Sequence, residues 1–213
     1  MKKIITLIAV TLISFTASSQ AFKFGTITAD LGTGFGIYGI RAYSPVNQSE
    51  HSGIGIVGSL PIVNAEFGLT KFLGVGGRFR RGTYGKSGIN KLRGNDMMLR
   101  LNFHVANKND KFDLAIGAGY GLSSFGGDIS DVEYLRTKGS VLNIHVTPHL
   151  YFGKYVGMFL SLGYNKHMLN RNIEIKDSGG KVWTNADGAT WNMGGVYFEF
   201  GVAGRFDLFK KGE

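Results

Sequence analysis

The chain contains no cysteine and only three prolines in 213 residues. Without cysteine, a disulfide framework and a lipid-anchored amino terminus are both excluded. Beyond residue 21, no apolar run approaches the roughly 18 residues that a transmembrane helix requires. Neither disulfides nor a helical membrane anchor can therefore stabilise the protein.

The first 21 residues differ in composition from the rest. A basic dipeptide follows the initial Met, an apolar run occupies residues 4–15, and the following residues are small and polar. This order is typical of a secretory signal peptide, and cleavage fits after Ala21 or after Ser19. The apolar run is too short to span a bilayer, which takes about 20 residues. We expect a signal peptide at residues 1–21 and one exported domain at 22–213.

The net charge is positive, at +9 from 24 Lys and Arg against 15 Asp and Glu. Such a balance can indicate a nucleic-acid partner. Here the basic residues are scattered and the chain is predicted to be exported, so we expect no nucleic-acid binding. Glycine is abundant, at 33 residues, and alternates with aromatic residues. That alternation is typical of a sheet with a crowded interior.

Residues 196–209 show the clearest period of two. Every even position is apolar or glycine, whereas the odd positions include Glu199, Arg205 and Asp207. This predicts a strand with one apolar and one polar face. It is longer than the five or six residues usual in soluble proteins.

Seven further stretches show the same alternation. The predicted strands cover residues 26–43, 54–70, 72–84, 96–106, 112–122, 141–152, 155–168 and 196–209, with a bulge near Pro61. Their connections alternate between long and short, as do the extracellular loops and periplasmic turns of bacterial outer-membrane barrels. The sequence therefore predicts an all-β fold, a closed eight-stranded antiparallel up-and-down transmembrane β-barrel.

The polar faces of these strands combine glycine with charged residues and histidine. The members are Asp30, Glu66, Arg78, Arg80, Arg100, His104, Asp113, His145, His149, Glu199, Arg205 and Asp207. In a narrow interior, small glycines beside long arginines fill the space, and the charges nearly cancel. The opposite faces are almost uncharged, as lipid requires, since a charge at mid-bilayer costs about 2–4 kcal/mol. We predict a polar, ion-paired lumen; the alternative is a soluble lipocalin-type barrel with the faces reversed.

Aromatic residues concentrate near the predicted strand ends. They are Phe72, Phe112, Phe152, Tyr155 and Phe206 on the turn side, and Tyr43, Tyr84, Tyr164 and Tyr197 on the loop side. This distribution predicts two interfacial girdles.

Three segments carry a resemblance to a known family: residues 64–77, 111–121 and 201–209. The chain resembles the small eight-stranded outer-membrane barrels of the OmpX and OmpA transmembrane-domain type, within the porin-family β-barrel group. The resemblance implies a monomer in the bacterial outer membrane, inserted by the outer-membrane assembly machinery. Its partners would be outer-membrane lipid and lipopolysaccharide, and no cofactor is expected.

Two sequence patterns suggest binding sites, but for each we favour a purely structural role. Residues 34–39 match G-x-G-x-x-G, but a dinucleotide site needs that motif between a strand and a helix, and here it lies within a strand. His104, His145 and His149 could approach one another around a metal. No carboxylate or cysteine completes a metal-ligand spacing, so hydrogen-bonded lumen histidines are the favoured interpretation.

Ser161 and His167 share one face of the seventh strand, which raises the question of a hydrolase. Residues six apart on a strand are about 20 Å apart, beyond hydrogen-bonding reach. We therefore expect no enzyme, with a membrane-embedded lipid-modifying enzyme as the second alternative.

The loops hold the candidates for surface contact. Residues 172–183 predict a protruding hairpin. Trp183 and Trp191 could contact an extracellular partner, although packing at the membrane interface is the favoured interpretation. Lys86, Lys91 and Arg93 could bind lipopolysaccharide phosphates, although a merely solvated basic loop is equally consistent. Together the sequence predicts a structural or surface-interaction protein, with a small-solute channel as the first alternative.

Overall fold

The computed structural model describes residues 22–45, 48–86, 89–106, 111–130, 133–177 and 179–209. They form the strands β1 (Thr26–Ser44), β2 (Ser49–Gly68), β3 (Leu73–Lys86), β4 (Ile89–Ala106), β5 (Phe112–Ser130), β6 (Glu133–Tyr151), β7 (Val156–Lys176), β8 (Val182–Thr184) and β9 (Thr190–Asp207). Within these ranges there is no helix whose length and apolar character would let it cross a membrane.

Eight of the strands close into one antiparallel barrel. Strands β1 to β7 each pair with the next along the chain, and β9 pairs with both β7 and β1. At the closing seam Thr26 lies opposite Asp207, and Tyr43 lies opposite Thr190. The short strand β8 pairs with the end of β7. The predicted closed, eight-stranded, up-and-down fold is confirmed.

The predicted bulge is present in β2. The pairing of β2 with β3 shifts register between Ser59 and Ile62. Pro61, which has no N–H to donate to a ladder, lies in this interval. The irregularity places both Ser59 and Ile62 inside the barrel, while Leu60 between them faces outward.

The outer wall is apolar over most of its height and the facing interior is polar. Leu99 and Ile54 are 74% and 72% exposed, whereas Arg80 and Glu199 are each 1% exposed. A soluble barrel has the reverse arrangement, with its apolar residues inside. The lipocalin-type alternative is therefore wrong.

Several strands extend further on the loop side than predicted. β4 begins at Ile89, and β5 continues to Ser130. In this part the outward positions are polar, as at Arg93, while inward positions such as Leu92 and Phe125 are apolar. The period of two continues, but the apolar face changes sides. Because of that reversal, the sequence pattern resembled a loop.

The predicted aromatic girdles stay a prediction, with one correction on the loop side. Tyr155 and Phe206 pack side by side on the outer wall, with ring centroids 5.8 Å apart. Tyr197, however, is 2% exposed and lies inside the barrel. It shares the inward face of β9 with Glu199, so its assignment to a girdle is wrong. The side chain of Tyr84 lies outside the described part of the chain.

Candidate functional site: a filled lumen and a basic outer rim

A histidine between two carboxylates occupies the turn end of the lumen. The two ring nitrogens of His104 lie 2.7 Å from Glu66 Oε1 and 2.7 Å from Asp113 Oδ2. The amide of Asn102 donates to the other oxygen of Glu66 at 2.7 Å. Phe22, which precedes β1, is fully buried and stacks on the His104 ring at 3.6 Å. Its ring covers this polar group at the turn end of the barrel.

The next level joins β1, β2, β4 and β6. Asp30 accepts a hydrogen bond from Asn64 at 3.2 Å and lies 3.3 Å from His149 Nε2. Arg100 donates to the amide oxygen of Asn64 at 3.1 Å and so reaches Asp30 through that amide. The cavity among these side chains measures about 10 Å³. It holds at most one water molecule.

An ion pair crosses the middle of the barrel. Arg78 of β3 pairs with Glu199 of β9, and both side chains are buried. The Arg78 guanidinium also stands 5.1 Å from the centre of the Tyr197 ring. The Tyr197 hydroxyl accepts from Asn143 at 2.9 Å, and Asn143 lies 2.9 Å from His145 Nδ1. These contacts tie three strands together across the lumen.

A second ion pair lies above the first, toward the loops. Arg80 donates from Nε and Nη2 to Asp96 Oδ2, at 2.9 and 2.6 Å. Ser123 donates to the other oxygen of Asp96 at 2.6 Å, and His167 Nε2 lies 3.3 Å from Oδ2. Arg80 also donates to the Tyr38 hydroxyl at 2.7 Å. We call the levels from His104 to Arg80 the polar lumen.

The last two predicted lumen residues lie near the turn-side rim. Arg205 is buried, with its guanidinium 4.3 Å from the centre of the Tyr151 ring. Asp207 is only half-buried; it accepts from Thr26 at 2.9 Å and pairs with Lys23 at 3.0 Å. The structure therefore places the predicted network residues on the inner face, with Asp207 at its edge.

Several lumen residues were absent from the predicted network, among them Asp96, His167 and Phe22. The alternation in the sequence could have identified Asp96 and His167. Asp96 shares the inward face of β4 with Arg100, and His167 shares the inward face of β7 with Asn165. Phe22 precedes the first strand, so no alternation could have identified it.

Above the polar lumen, the loop end of the interior is apolar. The buried residues there are Tyr38, Ala42, Val57, Leu92, Phe125, Leu135, Leu169, Ile173, Ile175, Ala189, Trp191 and Met193. We call this group the upper cluster. Trp191 is 6% exposed, so its predicted surface contact is wrong. Its inward position on β9, in step with Met193, places the ring inside the barrel.

The other predicted contact residues have varied positions. Arg93 is exposed on the outer wall, where it lines a groove of about 260 Å³ with Arg136 and Lys138. The side chains of Lys86 and Lys91 lie outside the described part of the chain.

The predicted hairpin is present between β7 and β8, with Ile175 opposite Trp183. Trp183 is half-buried against the upper cluster, and the Lys181 ammonium stands 3.7 Å from its ring centre. The indole N–H of Trp183 donates to Asp177 at 3.2 Å and holds the pKa of that carboxyl below its ordinary value. Backbone N–H groups of Lys181 and Gly179 act in the same direction. The hairpin tip is therefore organised by one carboxylate.

The structure addresses the candidate hydrolase pair and the question of a metal site. Ser161 is hydrogen-bonded to Thr147 at 2.8 Å, whereas His167 contacts Asp96, so the two do not form a nucleophile–base pair. No group of three or more His, Asp or Glu side chains in the described ranges has metal-binding geometry. The glycine motif at residues 34–39 lies within β1.

A closed eight-stranded antiparallel barrel with an apolar outer wall and a filled polar interior has the architecture of the small outer-membrane barrels. The fold is similar to that of the outer membrane protein OprG from Pseudomonas aeruginosa, with a TM-score of 0.56 and 11% identity, over 88% of this chain and 98% of OprG. At that identity the similarity concerns the fold alone.

Two further solved structures show weaker similarity. Neisserial surface protein A has a TM-score of 0.48 at 13% identity, over 85% of this chain and 97% of its own. The outer membrane protease OmpT from Escherichia coli has a TM-score of 0.47 at 12% identity, over 89% and 100%. Both scores are too low to support an argument. No family model and no curated protein sequence match the chain.

Proposed function

We propose that this protein is a monomeric, non-conducting barrel of the bacterial outer membrane with a structural or surface-interaction role. The observation that carries the proposal is the filled interior. Ion pairs occupy the polar lumen, Phe22 covers its turn end, the upper cluster fills its loop end, and the cavity between Asp30 and His149 is about 10 Å³. An eight-stranded barrel is just wide enough for side chains to fill.

The outer wall supports membrane insertion. Outward residues such as Leu99, Leu101 and Leu162 are more than half exposed, and closure gives each of the eight barrel strands a paired neighbour on both sides. Burying such a wall in lipid removes its apolar surface from water, and a closed barrel satisfies every ladder group internally. Export by a cleaved signal peptide and insertion by the assembly machinery are parts of this proposal.

The residues on the loop-side exterior support a role in binding partners, either anionic groups or surfaces that contact an aromatic ring. Arg93, Arg136 and Lys138 surround one outward groove, and the hairpin presents Trp183 with Lys181 above its ring. Guanidinium groups suit phosphates, such as those of lipopolysaccharide, because they can form paired hydrogen bonds. An extracellular partner would meet the same surface.

No enzymatic activity is part of the proposal. Ser161 and His167 have separate partners inside the barrel, so His167 does not activate Ser161 as a nucleophile. Incubation of the folded protein with labelled lipopolysaccharide should release or transfer no acyl chain.

The proposal is tested by planar-bilayer recording on the folded full chain. Folding is checked first, because the unheated barrel should migrate differently from the boiled sample on a detergent gel. We expect no discrete conductance steps. Reproducible single-channel steps from a folded sample would support the channel alternative and overturn the non-conducting role.

A further inference from the structure

A large groove lies on the outer wall of the barrel at its loop side. It runs across β2, β1, β9 and β7 and has a volume of about 820 Å³. Its floor is one row of residues that are paired across neighbouring strands. Gly39 of β1 pairs with Ile54 of β2 on one side and with Gly194 of β9 on the other, and Gly194 pairs with Lys166 of β7. The groove is therefore built from the wall itself and needs no mobile loop.

Two outward-facing glycines create this depression. A Cβ at Gly39 would meet nothing nearer than the Gly194 carbonyl oxygen, at 3.8 Å, so the space above Gly39 is open. A Cβ at Gly194 would lie 2.6 Å from the Tyr164 hydroxyl, so glycine there allows the tyrosine to lie across the wall. The result is an open floor beside an aromatic edge.

The groove marks the change from an apolar to a polar outer wall. In the row on its turn side, the outward residues Ile37, Ile56 and Val196 are each more than half exposed. In the row on its loop side, Arg41 lies opposite Asn192. The loop-side row also contains Ser52 and, as its one apolar member, Met168. The outer wall is thus apolar below the groove and mostly polar above it, as at the edge of a hydrocarbon layer.

Two cations flank the open floor. Arg41 and Lys166 are both exposed on the outer wall and both line the groove. Neither forms an ion pair with a carboxylate of the described residues, in contrast to Arg78 and Arg80 inside. Cations at a membrane boundary attract the phosphates of anionic lipids, and each contributes about 1 kcal/mol near the surface.

We propose that the groove binds one phosphorylated glycolipid of the loop-side leaflet, of the lipid A class. Its phosphate would meet Arg41 and Lys166, its sugar would lie over Gly39, and an acyl chain would run along Ile37 and Val196. The apolar row directly beneath the cations favours a lipid over free phosphate. This inference rests on the proposed outer-membrane location.

Native mass spectrometry of the detergent-folded full chain, titrated with bisphosphorylated lipid A, tests the inference. Arg41→Gln or Lys166→Gln should each weaken retention about fivefold, and the double variant about thirtyfold. Gly39→Leu should abolish the retained adduct without unfolding the barrel, since its side chain enters open space.

Matched controls come from the rest of the wall. Arg81→Gln removes an exposed outward cation outside the groove, and Gly58→Leu fills another outward glycine that has no atom within 4 Å. Both should bind lipid A as the unaltered chain does. If Gly39→Leu fails to fold, the charge variants decide the test.

Three results would overturn the inference: equal retention by the double variant, equal retention of dephosphorylated lipid A, or equal weakening by the controls. Displacement of lipid A by millimolar inorganic phosphate alone would show a free-anion site and also contradict it. Heat-dependent gel migration separates the two proposals, because a folded barrel that fails to bind lipid A contradicts only the groove.

Discussion

The polar lumen and the upper cluster are two ends of the same strands with opposite chemistry. On β5, the inward Asp113 at the turn end gives way to the inward Phe125 at the loop end. On β6, the inward His149 gives way to Leu135, while the outward face changes from the apolar Ile144 to exposed Lys138. Both strands keep their alternation of two, but the apolar face changes sides.

The reversal identifies the medium outside the wall. Where the exterior is apolar, charged groups are inside and satisfy one another, because lipid cannot solvate them. Where the exterior is polar, the interior is apolar, as in a soluble barrel. We therefore expect the membrane boundary on the loop side at the height where the faces exchange, which is also the height of the groove over Gly39.

The largest expected effect comes from breaking an ion pair of the polar lumen. Arg80→Met leaves the Asp96 carboxylate without its guanidinium and should lower the free energy of unfolding by about 3–5 kcal/mol. Urea titration of the barrel in detergent, followed by tryptophan fluorescence, measures the loss. The double variant Arg80→Met/Asp96→Leu removes both charges and should recover most of the stability. Equal losses in the single and double variants would show that the lumen is not held by charge pairing.

The upper cluster should respond to lost volume. Leu135 is fully buried, so Leu135→Ala removes packed side-chain atoms and should cost about 2–5 kcal/mol in the same titration. Val182→Ala, on the exposed hairpin strand, is the matched control and should change stability by less than about 0.5 kcal/mol. A Leu135→Ala loss as small as the control's would mean that the upper cluster is loosely packed.

The smallest effect is expected at the hairpin tip, outside both regions. Because the folded pKa of Asp177 is lowered, its bonds contribute above the ordinary carboxyl pKa and are lost as pH falls through the lowered value. The indole N–H signal of Trp183 in a ¹H–¹⁵N spectrum should therefore shift on acidification. Asp177→Asn should remove that dependence and leave barrel stability unchanged. An acid shift that persists in Asp177→Asn would assign the titration to another group.

The turn-side part of the barrel could be predicted from the sequence, because the lipid-facing and lumen-facing sides of each strand differ strongly in polarity. Glu199 and Arg205 alternate with Val196 and Phe206, so both the strand and its orientation follow from the pattern. The loop-side part could not, because Arg93 and Leu92 alternate with the opposite sense, and a pattern that reverses its sense resembles a loop. Trp191 was misplaced for the same reason.

The predicted polar network omitted Asp96 and Phe22, although both are buried inside the barrel. Asp96 lies where the alternation of β4 reverses, so its pairing with Arg80 depends on a register between strands that the sequence does not specify. The position of Phe22 depends on the path of the chain before β1, and the alternation within strands does not predict that path.

The central claim, a barrel filled by its own side chains, is tested most directly by thiol accessibility. The chain has no cysteine, so a single introduced thiol reports alone. Ala115→Cys places it on the inner face of β5, where Ala115 is 1% exposed, and Gly153→Cys places it at an open turn as the control. With a small charged methanethiosulfonate reagent, we expect the folded Gly153→Cys barrel to react at once and Ala115→Cys to react only after unfolding. Equal reaction rates in the two folded barrels would show a water-filled lumen and contradict the account.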